Sequence, residues 1–343
     1  MNPFTQRERI TDPERFAGRW REVGMVFERI EARRPVLLTG ARGTGKSSLL
    51  THVGQSAGAV LEDPTLEALY LDLALLPDAA TVYRLIARAL GWRGDTPDAV
   101  ETALSRAGRT VLVCLDHAEA AVEAGWGADM LERMARLARR SIPGEPGGLV
   151  PRGDGVFDLL LVAAGGATAP ELSEPFAQVR LGAFAPAEVR LFAEAYLEET
   201  GVTFTSAELR EAAALSAGHP AYLQRAMFHL FEAHSRPDYD WRAAYLAEAR
   251  ERPVPGAPLP PEAFVGQGDA ARDEGRGGEL ATRQAPSSLP AAPLGGDLGG
   301  LLNAALPLVL ALITLQVLGN WFVAVAVLVA GYGVVAALAR REQ

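Results

Sequence analysis

Residues 35–53 read Pro35-Val36-Leu37-Leu38-Thr39-Gly40-Ala41-Arg42-Gly43-Thr44-Gly45-Lys46-Ser47-Ser48-Leu49-Leu50-Thr51-His52-Val53. A short apolar run, of strand length, breaks at Gly40; from Ser47 the pattern continues as a helix. Between them Gly40 to Ser47 satisfies G-x-x-x-x-G-K-[ST], and strand–loop–helix is the context that gives this pattern its meaning. Backbone N–H groups from Gly43 to Ser47, at the positive end of the helix, are suited to cradling phosphate oxygens. Gly40, Gly43, Thr44, Gly45, Lys46, Ser47 and Ser48 form the candidate phosphate-binding set, with the Ser47 hydroxyl a ligand for Mg²⁺. The bland alternative is a glycine-rich turn that holds nothing.

Composition singles out the same loop. Of 33 basic side chains, 32 are arginine and one is lysine, Lys46. A compact ammonium fits between the β- and γ-phosphates, where a planar guanidinium differs in shape and donors. Lys46 is therefore a binding and catalytic candidate, and ATP with Mg²⁺ the expected ligand pair. The net charge of −9 argues against a nucleic-acid partner, which requires a basic stripe. Cys114 is the one cysteine, so no internal disulfide forms and a reducing compartment is expected. Met1 to Arg15 is polar and charged, unlike a cleavable signal peptide.

A second apolar run, Thr110-Val111-Leu112-Val113-Cys114-Leu115-Asp116, ends in a carboxylate, as a strand whose Asp holds Mg²⁺ through water would. Asp116 joins Ser47 as the metal candidate. His117 follows it, and the next acid is Glu119. Two readings of Glu119 stand: a catalytic acid near the γ-phosphate, or a solvated acid at a helix start.

Further strands are expected at Leu69 to Leu73, Phe157 to Ala164 and Val179 to Leu181, with a helix from about Ala79 to Leu90. Strands alternating with helices imply a parallel three-layer α/β sheet with its ligand at the strands' carboxyl ends. After Pro186 the pattern is helical: Ala187 to Glu199, Ser206 to Leu215 with Ser206 as its start, and Ala221 to Ala233. No winged helix is expected after Ala233, only Pro237 to Arg250 and then the linker. The domains are then 1–183 (core), 184–250 (helical lid), 251–300 (linker) and 301–339.

Residues 251–300 contain eight Pro and ten Gly and read as a disordered linker. Leu298 to Ala339 carries no charge. Gly319-Asn320 divides it into Leu301 to Leu318 and Trp321 to Ala339, each near the ~20 residues that span a bilayer. A two-helix transmembrane hairpin is expected, the alternative being a buried core hairpin. Arg340 and Arg341 mark the cytoplasmic side, placing the large domain and both termini there.

These pieces resemble the STAND and archaeal-type ATPases of the AAA+ lineage. Phe16-Ala17-Gly18-Arg19-Trp20-Arg21-Glu22 is similar to the family's F-x-G-R-x-x-E segment. Pro175-Phe176-Ala177-Gln178-Val179-Arg180-Leu181 with Pro186-Ala187-Glu188 is similar to its bridge into the lid. Gly218-His219-Pro220 is similar to its G-x-P motif. The resemblance covers residues 16 to about 235 and implies a P-loop NTPase fold with a helical lid. It also implies Arg19 beside the nucleotide base, His219 and Pro220 near the nucleotide, and a homo-oligomer or protein partner. His219 reads equally as a helix-start residue without ligand, and Arg225 as a solvated surface arginine or a lid-side phosphate contact. Two positions depart from the family: His117 stands where a second acid is usual, and Val162-Ala163-Ala164-Gly165-Gly166 lacks a polar γ-phosphate sensor. Together with the uncharged C-terminal run, the expected function is a membrane-anchored ATP-dependent switch with slow hydrolysis, or alternatively a mechanochemical ATPase of a membrane complex.

Overall fold

The computed structural model describes residues 1–107, 110–140, 159–166, 175–257 and 259. They belong to the first of two units of the chain, Met1–Gly275. Its elements run α1 (Trp20–Glu31), β1 (Val36–Thr39), α2 (Lys46–Val60), β2 (Glu67–Asp72), α3 (Ala79–Ala89), α4 (Pro97–Ala107), β3 (Val111–Asp116), α5 (Ala118–Glu123), α6 (Gly127–Arg140), β4 (Leu159–Ala164), β5 (Ala177–Arg180), α7 (Pro186–Leu197), α8 (Ser206–Leu215), α9 (Pro220–Ser235) and α10 (Trp241–Glu251). The expected hairpin at 301–339, and the expected linker beyond residue 259, lie outside the described residues. Among the described residues no helix is long and apolar enough to cross a membrane.

The five strands pair in parallel in the order β2-β3-β4-β1-β5. Near-continuous apolar runs are what a sheet covered on both faces demands, and alternation along each strand divides them. Val36, Leu38, Leu112, Cys114 and Val162 turn toward α1 and α2, while Leu37, Val113, Leu115, Leu161 and Ala163 turn toward α3, α4 and α6. The three layers follow directly. Because β4 lies between β1 and β3, the loop after β1 and Asp116 at the end of β3 open on the same edge, one strand apart.

A third core joins α7, α8, α9 and α10. Helix α10 was not expected from sequence: Trp241 and Tyr245 bury themselves against this cluster, and the Asp240 side chain caps the first turn by accepting from the N–H groups of Arg242 and Ala243. Val254, Ala257 and Leu259 also pack on the cluster, so the chain remains folded past residue 250, where the linker was expected to begin. Helix α8 spans the expected range, but Thr205 rather than Ser206 is its cap, in a reciprocal box with Glu208.

The N-terminal segment also joins this cluster. Phe4 is fully buried there, its ring 5.3 Å from Tyr196, 5.9 Å from Phe204 and 6.1 Å from Phe192. Asn2 donates to the Phe228 carbonyl and to Glu232. Further along, Ile10 donates its N–H to the Ser48 hydroxyl, and Gln55 donates to the Thr11 carbonyl. The first eleven residues thus form a strap from the helical cluster to α2. Removing an aromatic ring from a buried site costs about 3–5 kcal/mol; Phe4→Ala is expected to lower unfolding free energy by that order in urea, and a loss under about 1 kcal/mol would show that the strap does not anchor the cluster.

Candidate functional site

At the carboxyl edge of the sheet lies a cavity of about 870 Å³, within the range of small-molecule sites. Its floor is Gly43 to Ser48 with Asp72, Asp116, His117 and Glu119; its roof is the strap from Gln6 to Ile10 and the start of α9 with Pro220, Gln224 and Arg225. The walls carry six basic side chains (Arg7, Arg9, Arg19, Arg42, Lys46, Arg225) and four carboxylates (Glu8, Asp72, Asp116, Glu119). In a chain of net charge −9, this is a local reversal of sign suited to a polyanion.

The loop is built to hold phosphate. The first intrahelical bond of α2 runs from Leu49 N–H to the Gly45 carbonyl at 2.9 Å, so the N–H groups of Lys46, Ser47 and Ser48 have no acceptor within the helix. Gly40 and Gly43 are required rather than convenient. At Gly40 a Cβ would stand 2.5 Å from the Leu181 carbonyl; at Gly43, where φ is +77°, it would stand 2.9 Å from both His219 and Val254. Lys46 Nζ donates to the carbonyls of Gly40 (2.9 Å) and Ala41 (3.0 Å), neutral acceptors weaker than phosphate oxygens. Burial holds the Lys46 pKa below its ordinary value, with Glu119 and Asp116 opposing that shift.

Asp116 is 1% exposed. One oxygen accepts from the Tyr70 hydroxyl, the other from the His117 N–H at 2.9 Å. Burial, reinforced by Asp116, pushes the Tyr70 phenol upward, so it stays protonated and donates. Each carboxylate oxygen keeps a second lone pair, enough for a water of a hydrated Mg²⁺. Among the described residues no group of three or more His, Cys, Asp or Glu is placed to hold a metal by itself. Mg²⁺ binds through one or two carboxylates plus phosphates; Asp116 and the Ser47 hydroxyl would hold it.

Glu119 is not simply a solvated helix-start acid: its Oε2 accepts from the Gly166 N–H at 3.0 Å, just beyond β4. His117 adopts a left-handed backbone and places Nδ1 2.9 Å from Asp72 Oδ1. Tyr70 and Asp72 were missed as site residues. Their signal was present, since Leu69-Tyr70-Leu71-Asp72 is a second strand ending in Asp, and β2 pairs with β3 in the register Asp72↔Asp116.

The remaining candidates also have protein partners. Arg19, 3% exposed, donates to the carbonyls of Thr44 (3.1 Å) and Gly182 and to Glu22 (3.0 Å), with its guanidinium over the Phe184 ring. It lines the cavity as a brace on the phosphate loop. The Ser48 hydroxyl is occupied by Ile10 N–H, and Thr44 Oγ1 donates to the Ala41 carbonyl. Arg225 is not a solvated surface arginine: its side chain is 13% exposed, paired with Glu248 and bonded to the Arg252 carbonyl.

His219 Nε2 lies 3.0 Å from the Arg42 carbonyl. A carbonyl only accepts, so Nε2 carries a proton in this bond, in the neutral ring as in the imidazolium. Pro220 opens α9 as its first residue.

No protein-family model matches the chain, and no curated protein matches it in sequence. Solved structures do. The Walker-type ATPase of Pyrococcus abyssi is 17% identical at a TM-score of 0.50, over 73% of this chain and 76% of that one. The Aeropyrum pernix Orc1 protein, solved in complex with DNA, is 18% identical at 0.49 over 68% of this chain. A signal transduction ATPase with numerous domains (STAND) from Pyrococcus horikoshii is 18% identical at 0.38 over 65% of this chain and 30% of that one. The chain spans 65% of the Orc1 length. At these identities the likeness is one of fold: a parallel five-stranded α/β sheet of the P-loop NTPase kind.

Burial lowers the His219 pKa from its usual 6.5, so the unfolded chain takes up this proton at higher pH than the folded one. Stability from neutral His219 is complete above about pH 6.5 and is lost as pH falls below it. The wild-type urea midpoint is expected to drop more steeply from pH 7 to pH 5 than that of His219→Gln; parallel curves would show that His219 is not held neutral against the loop.

Proposed function

We propose that this chain is an ATP- and Mg²⁺-binding protein of the AAA+/STAND type, acting as a conformational switch with slow hydrolysis. The observation that supports it most directly is the single cavity where Lys46, Ser47, Asp116 and Glu119 converge beneath α9 and the strap. Triphosphate oxygens would take the N–H groups of Gly43 to Ser47 and draw the Lys46 ammonium from the Gly40 and Ala41 carbonyls. The bound cation would neutralise charge between the β- and γ-phosphates. A ligand touching both the loop and α9 favours one pose of the helical cluster over others by its differential affinity. A switch of this kind needs no fast turnover.

The arrangement of acids supports binding over turnover. Glu119 accepts from the Gly166 N–H and His117 Nδ1 pairs with Asp72, so each already has a protein partner. In the alternative reading, a mechanochemical ATPase, Glu119 orients the attacking water and must be released from Gly166. Membrane anchoring through 301–339, a cytoplasmic position for the ATP site and self-association belong to the same proposal, resting on the uncharged run from Leu298 to Ala339 and on the family resemblance. A nucleic-acid partner is not part of it.

Lys46→Ala is expected to weaken ATP binding at least about 100-fold, the loss of a strong charge-assisted contact, as read by calorimetry on the full-length chain. Retention of wild-type affinity would end this reading. In a phosphate-release assay Glu119→Gln is expected to leave the wild type's slow basal rate within about threefold, since changes under 1 kcal/mol signal no transition-state role. A collapse of a fast wild-type rate would favour the motor.

A further inference from the structure

Away from the nucleotide cavity, a groove of about 730 Å³ runs between the short 3-10 helix Pro13–Arg15, the start of α1 and α7. Its apolar lining includes Phe16, Trp20, Leu191, Ala195 and Val202. Trp20 is 53% exposed and Leu191 43%, two of the five large apolar side chains that the described residues expose. Scattered singly, such side chains need no explanation, whereas two on one concave surface mark a contact site. The Trp20 ring is held in place, edge-on to Phe16 and to His52 with centroids 6.1 and 5.9 Å away. A tryptophan fixed beforehand loses little side-chain freedom on binding, and tryptophan is among the residues that anchor interfaces.

The charges around it narrow the occupant. Glu14, Glu194 and Glu198 line the groove, and no basic side chain does. None of the three carboxylates has an ion pair or hydrogen bond among the described residues. On α7 the exposed stripe is Leu191, Glu194, Ala195 and Glu198, the i, i+3, i+4, i+7 spacing of one helical face. Its two carboxylates stand one turn apart, about 6 Å along the axis. They repel each other at that spacing, and they crowd the carboxyl end of a helix whose last turn has no basic residue. Cations, not anions, are favoured at that end. The rim therefore repels nucleic acid and acidic lipid headgroups. A basic amphipathic helix satisfies it, with its apolar face on Trp20 and Leu191 and Arg or Lys one turn apart opposite Glu194 and Glu198.

We propose that this groove is a docking site for a basic amphipathic helix of a partner protein. The site stands apart from the phosphate loop and does not depend on the nucleotide reading. Phe16 and Ala17 line both the groove and the nucleotide cavity, so the two share a wall.

The probe is a fluorescein-labelled synthetic peptide of about 16 residues, long enough to hold a helix, with leucine at i, i+3, i+4, i+7 spacing and arginine on the flanks. Two companion peptides carry glutamate for every arginine or serine for every leucine. Fluorescence anisotropy with the full-length chain is expected to show saturable binding of the basic peptide, at least about tenfold tighter than either companion. Glu194→Lys/Glu198→Lys is expected to weaken that binding at least about tenfold, and Leu191→Ser at least about fivefold. All three positions are exposed, so the core is left intact. Asp95→Lys/Glu123→Lys makes the same charge change at exposed acids outside the groove and is expected to stay within about twofold. Absence of binding, indifference to peptide composition, or an equal loss in the groove and control variants overturns the proposal. Binding that appears only after Arg340→Glu/Arg341→Glu also overturns it, assigning the groove to this chain's own apolar, basic end. Self-association of the chain that Leu191→Ser abolishes overturns it in favour of a second copy.

Discussion

The guanidinium of Arg19 is the tie on which the site's geometry depends. It is a buried charge, costly to desolvate unless paired, and here both terminal nitrogens are bonded across the fold. One bond reaches the Thr44 carbonyl in the phosphate loop, one the Gly182 carbonyl after β5, and one Glu22 on its own helix. Phe184 covers the flat face of the group. Glu188 of α7 accepts from the Arg19 N–H while also accepting from the Ala185 N–H ahead of its own helix. Loop, sheet edge and the first helix of the cluster are thereby held in one bonded group. Lysine, with a point charge and no planar fork, could not make these contacts together.

Around that tie the charges are distributed unevenly, and with consequence. An acidic chain concentrates six cations around one cavity, while the carboxylates within it are each partly satisfied by a named donor: Asp116 by Tyr70 and His117, Asp72 by His117 and Ala74, Glu119 by Gly166. The cavity is also linked to the N-terminal strap, because Arg9 stacks over the ring of Tyr70, with its Cζ 4.3 Å from the centroid.

Much of the core was legible in the sequence because the signals there are local. The loop from Gly40 to Ser47 states its own conformation, and the apolar runs ending at Thr39 and Asp116 are β1 and β3. The helical stretch after Pro186 gives α7, α8 and α9 within a few residues. Helix α10 was not legible: Trp241-Arg242-Ala243-Ala244-Tyr245 follows a turn-rich Pro237-Asp238-Tyr239-Asp240, and only packing against α9 fixes it as a helix. The strap was hidden for a related reason. Phe4 is one ring in a polar segment, and nothing nearby in sequence says which distant aromatic residues it will join.

The sequence by itself determined that a phosphate-binding loop joins a buried strand to a helix, since glycine φ freedom and unpaired N–H groups at a helix start are properties of a few consecutive residues. It also determined a parallel α/β core, since alternating strand and helix periods admit few other folds. Tertiary structure alone decided the cavity's contents: Asp72 beside Asp116, Arg19 as a brace and Arg225 turned inward. Those depend on strand register and on how α9 and the strap close over the sheet. Such contacts between residues far apart in the chain arise only when the separate hydrophobic faces are buried against one another.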